Sequence, residues 1–463
     1  MTTFRNAVLS EGNFTQTENG MAALKSSLNA NVDLFFSAAA SRGKDISAKF
    51  AAALSENREL ALRLALWLRD AREGAGEREQ FRSLLKFLEK HDESALLHVI
   101  PVVPHVGRWD DLLIFTNPTW KAAAFSVIAE GLAEGNGLCA KWMPRKGQTA
   151  VELRDFLGLT PKQYRKGLVS LSNTVEQLMC AKRWNDIEFG KIPSLAAKNY
   201  QKAFNRNCAA QYQAYKLALT NGNAKINASA IFPYDVLKGS DRVVAQAQWN
   251  ALPNFLTEDA KILPMIDVSG SMCSPQVSPG LAPIDVAVSL GLYIATKQTG
   301  SFGGVYLTFT DRPTLTTVDQ SKNIVDLNRW VVSHDVGYST NIERAFGEIL
   351  RVAKTNGVPQ AEMPKYLLVF SDMQFNGSTF GYRETAFDNA KRQFEAAGYE
   401  LPKLVWWNIA DRGNNTPVKY DAQGNALVSG FSPSLVKSIL AAKTFTPEGV
   451  MLETLLQERY DLA

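Results

Sequence analysis

The sequence predicts two architectures in one chain of 463 residues: an α-helical repeat domain over 1–255, then a doubly wound, mostly parallel α/β domain over 256–463. Three observations predict it. Up to about residue 220, apolar residues recur at helical spacing, as Phe81, Leu84, Leu85 and Leu88 do. From about residue 261, short apolar runs alternate with helical stretches, the pattern of a parallel sheet covered on both faces. Between them, Asn221-Gly222-Asn223, Pro233, Gly239-Ser240 and Pro253 punctuate a transition.

In the first part, Ser55–Asp70 is rich in the helix formers Leu, Ala, Arg and Glu, and Glu73-Gly74-Ala75-Gly76 ends that run. Further helices are expected at 93–100, 120–133, 149–157, 161–180 and 194–218. Thr160-Pro161-Lys162-Gln163 is a start signal: Thr160 caps, Pro161 suits the first helical position, and Gln163 completes a capping box. Short helices with brief loops predict helical hairpins stacked as a solenoid. In the second part, strands are expected at 262–268, 305–310, 366–370 and 404–409, and helices at 284–296, 342–353 and 384–397. Helices at 435–441 and 448–458 are expected to close the domain, the second returning to pack on the helical part.

Composition narrows the function classes. Charged residues make up 21% and hydrophobic residues 46%, so the chain reads as globular rather than disordered or rod-like. No apolar run reaches the roughly 18 residues of a membrane helix, and the N-terminus lacks a signal-peptide core, which predicts a cytoplasmic protein with no membrane partner. The four cysteines form no CxxC pair, so reduced thiols are expected. Four histidines, with no nucleophilic triad, P-loop or dinucleotide fingerprint, argue against an enzyme.

The sharpest feature is Asp267-Val268-Ser269-Gly270-Ser271, at the end of the first strand of the α/β part. The i, i+2, i+4 spacing lets one carboxylate and two hydroxyls converge, a hard-oxygen set suited to Mg²⁺ or Mn²⁺. Thr340, in the loop Gly337–Asn341 that opens a helix, and Asp372, at the end of a later strand, complete the set. Asp311 is expected to shape a strand-end turn with Arg312-Pro313 rather than to ligate, and Asp335 and His334 to lie at the rim at most. In order, these five positions resemble the metal-ion-dependent adhesion site of von Willebrand factor A domains. That resemblance covers about residues 261–445 and implies a Rossmann-like fold with Asp267, Ser269, Ser271, Thr340 and Asp372 as metal ligands. It also implies an open coordination position for an acidic group from a partner.

The phrases LRDAREGAGER (68–78), GRWDDLL (107–113), KWMP (141–144) and YRK (164–166) resemble TROVE-like helical modules fused to a von Willebrand A domain. More distantly they are similar to the Ro autoantigen family, whose ring of HEAT-like helical repeats binds small structured RNAs. The resemblance implies RNA as a partner, within a ribonucleoprotein. Independently, residues 151–250 carry 14 basic and 7 acidic side chains, an excess that could meet an acidic partner. Lys162, Arg165 and Lys166 share a helical face, followed by Lys182, Arg183, Trp184, Lys191, Lys198, Lys202 and Arg206, with Tyr164, Tyr200 and Phe204 interleaved. Such cations can hold phosphates, and such rings can stack on bases. Arg69, Arg72 and Arg78 read instead as salt-bridged packing with Asp70, Glu73, Glu77 and Glu79, and Trp109, Asp110 and Asp111 as the cap and staple of a helix. The expected function is a non-catalytic RNA-binding scaffold with a metal-dependent site for an acidic ligand. The alternative is a metal-dependent protein-interaction or assembly module, such as a virion component, without nucleic acid.

Overall fold

The structure is a computed structural model that describes residues 12–462 apart from residues 173, 240, 259, 275, 335–339, 378–383 and 414. The chain folds as two units that interleave along the sequence. One takes the residues up to Ala61 together with Ile231–Leu456; the other takes Leu62–Ala230 and Gln457–Ala463. This corrects the expected division at 255/256 at both ends of the chain. Residues before 62 are helix-rich and so look like the helical part, yet they pack on the sheet.

In the first unit, β1 (Phe14–Gln16) and β2 (Ala22–Leu24) form a short antiparallel hairpin. Then come β3 (Ile262–Asp267), β4 (Val305–Phe309), β5 (Thr314–Thr317), β6 (Tyr366–Ser371), β7 (Lys403–Asn408) and β8 (Asn425–Ser429). These six form one sheet in the order β5-β4-β3-β6-β7-β8, parallel throughout except for β5, an antiparallel edge strand on β4. Every residue of β3 is buried, which a strand shows only when both faces of its sheet are covered. One cover is the helix Pro283–Lys297, which approaches so closely at Gly291 that a Cβ there would lie 2.3 Å from Ile266 Cδ1. The helix Ala30–Ser37 is apolar around most of its circumference and buried accordingly. Strand side chains tie down its C-terminal end: Ser429 Oγ donates to Phe35 C=O (2.6 Å) and Asn408 Nδ2 to Phe36 C=O (3.1 Å). The edge strand β5, β8 and the N-terminal hairpin carry no signal that the sequence reading used.

In the second unit, the expected helices appear at Glu93–Val99, Pro118–Ala133, Gln148–Phe156 and Pro161–Leu171, the last with the Thr160–Gln163 capping box in place. Two long expected helices are broken. The run 161–180 stops at Ser172 and restarts as Val175–Cys180, where the Gln177 side chain accepts the Thr174 N–H. The run 194–218 divides into Ser194–Asn199, Gln201–Asn207 and Ala209–Thr220. Arg69 and Arg82 converge on the buried Asp111, a partner that the sequence does not assign them, and Asp111 also caps its own helical turn, as expected, by accepting the Arg108 N–H (2.9 Å). The expected return of 448–458 is shorter: the helix Pro447–Leu455 stays in the α/β unit, and only the segment from Gln457 joins the helical one. There Arg459 Nη2 and the Tyr460 hydroxyl bond the buried Asp70 carboxylate at 2.9 and 3.1 Å. All four cysteines are free; Cys139 and Cys208 are buried, whereas Cys180 and Cys273 are exposed. Among the described residues, no helix is long and apolar enough to cross a membrane.

Candidate metal centre and basic helical residues

The strand order places a crevice at a defined point. From β3 the chain works outward to β4 and β5, then crosses back over β3 to β6, β7 and β8. In open α/β sheets, ligands bind at the carboxyl ends of the strands where the order reverses. Asp267 is the last residue of β3, and Asp372 directly follows β6, its neighbour.

Both carboxylates are buried, as are Ser269 and Thr340, while Ser271 is half-buried. Asp267 Oδ1 accepts the Ser269 N–H (3.0 Å), which turns the chain out of the strand. Asp267 Oδ2 accepts the Ser371 hydroxyl (2.6 Å). The Ser269 and Ser271 hydroxyl oxygens lie 3.1 Å apart, and the Ser271 side chain sits beside Asp372, whose ionised form it favours. Met272, fully buried beneath the turn Gly270–Cys273, anchors it. After β6 the backbone turns sharply: Met373 takes φ 61°, a left-handed conformation costing a non-glycine residue about 1–2 kcal/mol. Its N–H donates to Ser371 Oγ (3.0 Å).

Asp267, Ser269, Ser271 and Asp372 are thus brought together. Thr340 reaches the same neighbourhood through the loop after Asp372: its C=O accepts the Asn376 N–H (2.9 Å), and its N–H donates to Asn376 Oδ1 (3.4 Å). Residues 337–339 of its loop, and Asp335, lie outside the described residues, as does the side chain of His334. Asp311 serves its turn, its C=O accepting Arg344 Nη1 (2.8 Å).

Several residues here escaped the sequence reading. Arg412, between β7 and β8, places Nε 2.7 Å from Asp372 Oδ2. Gln374 and Asn376 are held by the N-terminal hairpin: Gln374 Oε1 accepts the Glu18 N–H (2.7 Å), and Gly20 bridges to Asn376. None belongs to a local motif, so only their fold neighbours reveal them.

Burial, and then the Asp372 charge, push the Asp267 carboxyl up to about 7. Burial also raises Asp372, against the pull of the Arg412 guanidinium. Two buried carboxylates with one guanidinium as their ionic partner among the described residues leave a negative charge uncompensated, which a low-dielectric site tolerates poorly. Asp372 Oδ2 is also buried without a hydrogen bond. An all-oxygen donor set with surplus negative charge and an unused lone pair fits a hard divalent cation. Among the described residues, no group of three or more His, Cys, Asp or Glu offers a competing centre.

In the helical unit, Lys162, Arg165 and Lys166 are exposed on Pro161–Leu171, opposite the buried Tyr164 and Leu168. Lys182, Lys202 and Arg206 are also exposed. Arg183 pairs with Asp186 and Lys191 with Glu188, both at 2.6 Å. Lys198 and Trp184 are half-buried. The interleaved aromatics depart from the expectation. Tyr164 donates to Pro144 C=O (3.0 Å), Tyr200 donates to Glu176 (3.0 Å), and Phe204 packs edge-on to Phe189 in the core. Helical periodicity accounts for this: positions 164 and 168 lie on the face away from 162, 165 and 166.

Known proteins place the chain as follows. The model of the domain of unknown function DUF2828 matches residues 17–111 and 123–262, more than half of the chain, and the chain belongs to that family. The domain of unknown function DUF7788 matches residues 261–459. An uncharacterized protein of Acanthamoeba polyphaga mimivirus is 28% identical over 96% of this chain and 87% of its own length. Among solved structures, the crystal structure of the Deinococcus radiodurans Ro (RSR) protein is similar over 92% of this chain and 93% of that one, at 14% identity and a TM-score of 0.39.

Proposed function

We propose that this member of the DUF2828 family is a non-catalytic scaffold that grips RNA with its helical unit and holds Mg²⁺ or Mn²⁺ in its α/β unit. The observation that carries the reading is the meeting of Asp267, Ser269, Ser271 and Asp372 at the reversal point of the sheet. Thr340 would supply a further neutral oxygen, in keeping with the von Willebrand A resemblance. The ion would supply a fixed positive charge with a position open to an acidic group from a second partner. The chain's own residues do the rest: the Ser371 hydroxyl and Ser269 N–H orient the Asp267 carboxylate, and the sheet excludes water beneath it.

Asp267→Asn with Asp372→Asn is expected to abolish Mg²⁺ and Mn²⁺ binding in calorimetric titration while circular dichroism stays that of the parent. Binding equal to the parent's would sink the assignment.

The RNA reading rests on the TROVE-like resemblance and on exposed cations free of ion pairs among the described residues: Lys162, Arg165 and Lys166, with Lys182, Lys202 and Arg206 beyond them. These suit phosphate contacts rather than base stacking, because the neighbouring rings are turned inward. Lys162→Glu/Arg165→Glu/Lys166→Glu is expected to lower RNA affinity at least tenfold, and to flatten its salt dependence, in filter binding at two salt concentrations. The inward rings and the ion-paired Arg183 and Lys191 favour a second reading, a metal-dependent protein-interaction module. It requires that chelators release the partner and that nuclease does not.

A further inference from the structure

We propose that Arg412 is an intramolecular cation that stands in for the metal at this centre and competes with it. The inference rests on the metal reading above. Arg412 Nε lies 2.7 Å from Asp372 Oδ2, and its Nη2 donates to the backbone carbonyls of Ser271 and Ser274. One guanidinium therefore touches both loops that carry the donor oxygens. Its side chain is 16% exposed, so little water screens the charge.

The geometry of the pair distinguishes it from a structural salt bridge. Arg108 grips Asp110 with a two-pronged fork, Nε to Oδ1 at 2.8 Å and Nη2 to Oδ2 at 2.5 Å. Arg412 makes no such fork. Despite the short separation, neither its Nε nor Asp372 Oδ2 is in a hydrogen bond, although both atoms are buried. The contact supplies charge without consuming the oxygen's directed lone pairs. The guanidinium is held in place by the two carbonyls instead, and these remain available to it if Asp372 turns to an ion.

Charge counting gives the consequence. Asp267 and Asp372 together carry −2 when ionised, and Arg412 offsets one unit. A divalent ion must then enter beside a resident cation, so the two compete for Asp372. Removing the guanidinium leaves both carboxylate charges to the ion.

Arg412→Gln keeps a donor for the carbonyls and removes the charge. It is expected to bind Mn²⁺ at least tenfold more tightly than the parent in calorimetric titration. Without metal it is expected to melt below the parent, and at saturating Mn²⁺ that gap is expected to close. Equal or weaker Mn²⁺ affinity would overturn the competition, leaving the metal reading intact as long as Asp267→Asn/Asp372→Asn still abolishes binding. Absence of Mn²⁺ binding in the parent and all variants would overturn both. If Arg412→Gln does not fold, the parent's Arg412 Nε–H resonance, assigned with Arg412→Lys, is followed during Mg²⁺ titration. Displacement from Asp372 is expected to shift it, and an unmoved signal at saturating Mg²⁺ would overturn the proposal.

Discussion

Asp111→Asn is expected to destabilise the helical unit by about 3–5 kcal/mol, on the order of 10 °C in its thermal transition. Asp111 has no exposed surface, and Arg69, 3% exposed, places Nε 2.7 Å from its Oδ2. Arg82 places Nε 2.7 Å from Oδ1, and the Arg108 N–H donates to Oδ2 at 2.9 Å. The carboxylate is the hub of this network, with a cation on each oxygen. Asparagine keeps the shape but removes the charge, and it turns an NH₂ toward one of the guanidiniums. Arg69 is then left buried beside a neutral group, which costs far more than the net worth of the original pair. Gly107 permits the arrangement, since a Cβ there would lie 2.8 Å from Asp111 Oδ2. The contrast is Arg351→Gln. It breaks the exposed two-pronged pair with Glu348 in the α/β unit and is expected to leave that unit's own transition unmoved. Thermal denaturation followed by circular dichroism compares the two. Similar small shifts for both would show that the Asp111 network is not a stabilising hub.

The same residues show what a sequence can and cannot reveal. Asp267, Ser269 and Ser271 were legible because their convergence is local: period-2 spacing at the end of an apolar run fixes it before any tertiary contact forms. Asp372 was legible because it too ends an apolar strand, and parallel strands in register bring their ends together. Arg412 was not, because its partners are distant in sequence and it lies in a loop with no spacing to read. The N-terminal boundary was missed for a related reason. A buried helix such as Ala30–Ser37 looks alike whether it packs on helices or on a sheet, and the deciding bonds come from Asn408 and Ser429. The basic stretch was half legible. Its exposed lysines and arginines lie where helical spacing puts them, whereas linear interleaving of aromatics said nothing about which way the rings face. Helix ends slipped where a single cap decides, as at Thr174 and Gln177.

Freed of divalent ions, the α/β unit is expected to lose stability through Asp267 as pH rises from about 4 to about 7. Burial, and then the charge of Asp372, raise the folded carboxyl to about 7, against about 3.9 in an unfolded chain. The sign follows from proton counting. Between those two values the folded protein holds the proton and the unfolded chain does not, so raising the pH favours unfolding, by up to about 1.4 kcal/mol per pH unit. Below about 4 the contribution is fully present, and above the folded value it is gone. Other carboxylates act in the opposite sense. Arg108 and Arg82 hold Asp110 below its usual range despite its partial burial, for example, so whole-protein stability mixes both signs. The informative quantity is therefore the difference between the parent and Asp267→Asn, which cannot titrate at that position. In urea titrations with EDTA at pH 4.5, 6 and 7.5, the parent is expected to fall relative to Asp267→Asn across the series. With saturating Mg²⁺ the sign is expected to reverse, because an ion binds the deprotonated carboxylates and must displace any proton they carry. A parent and variant that run parallel in EDTA would show that Asp267 is already ionised without metal. Its burial would then be compensated within the protein, and the main electrostatic argument for a divalent ion at this centre would be lost.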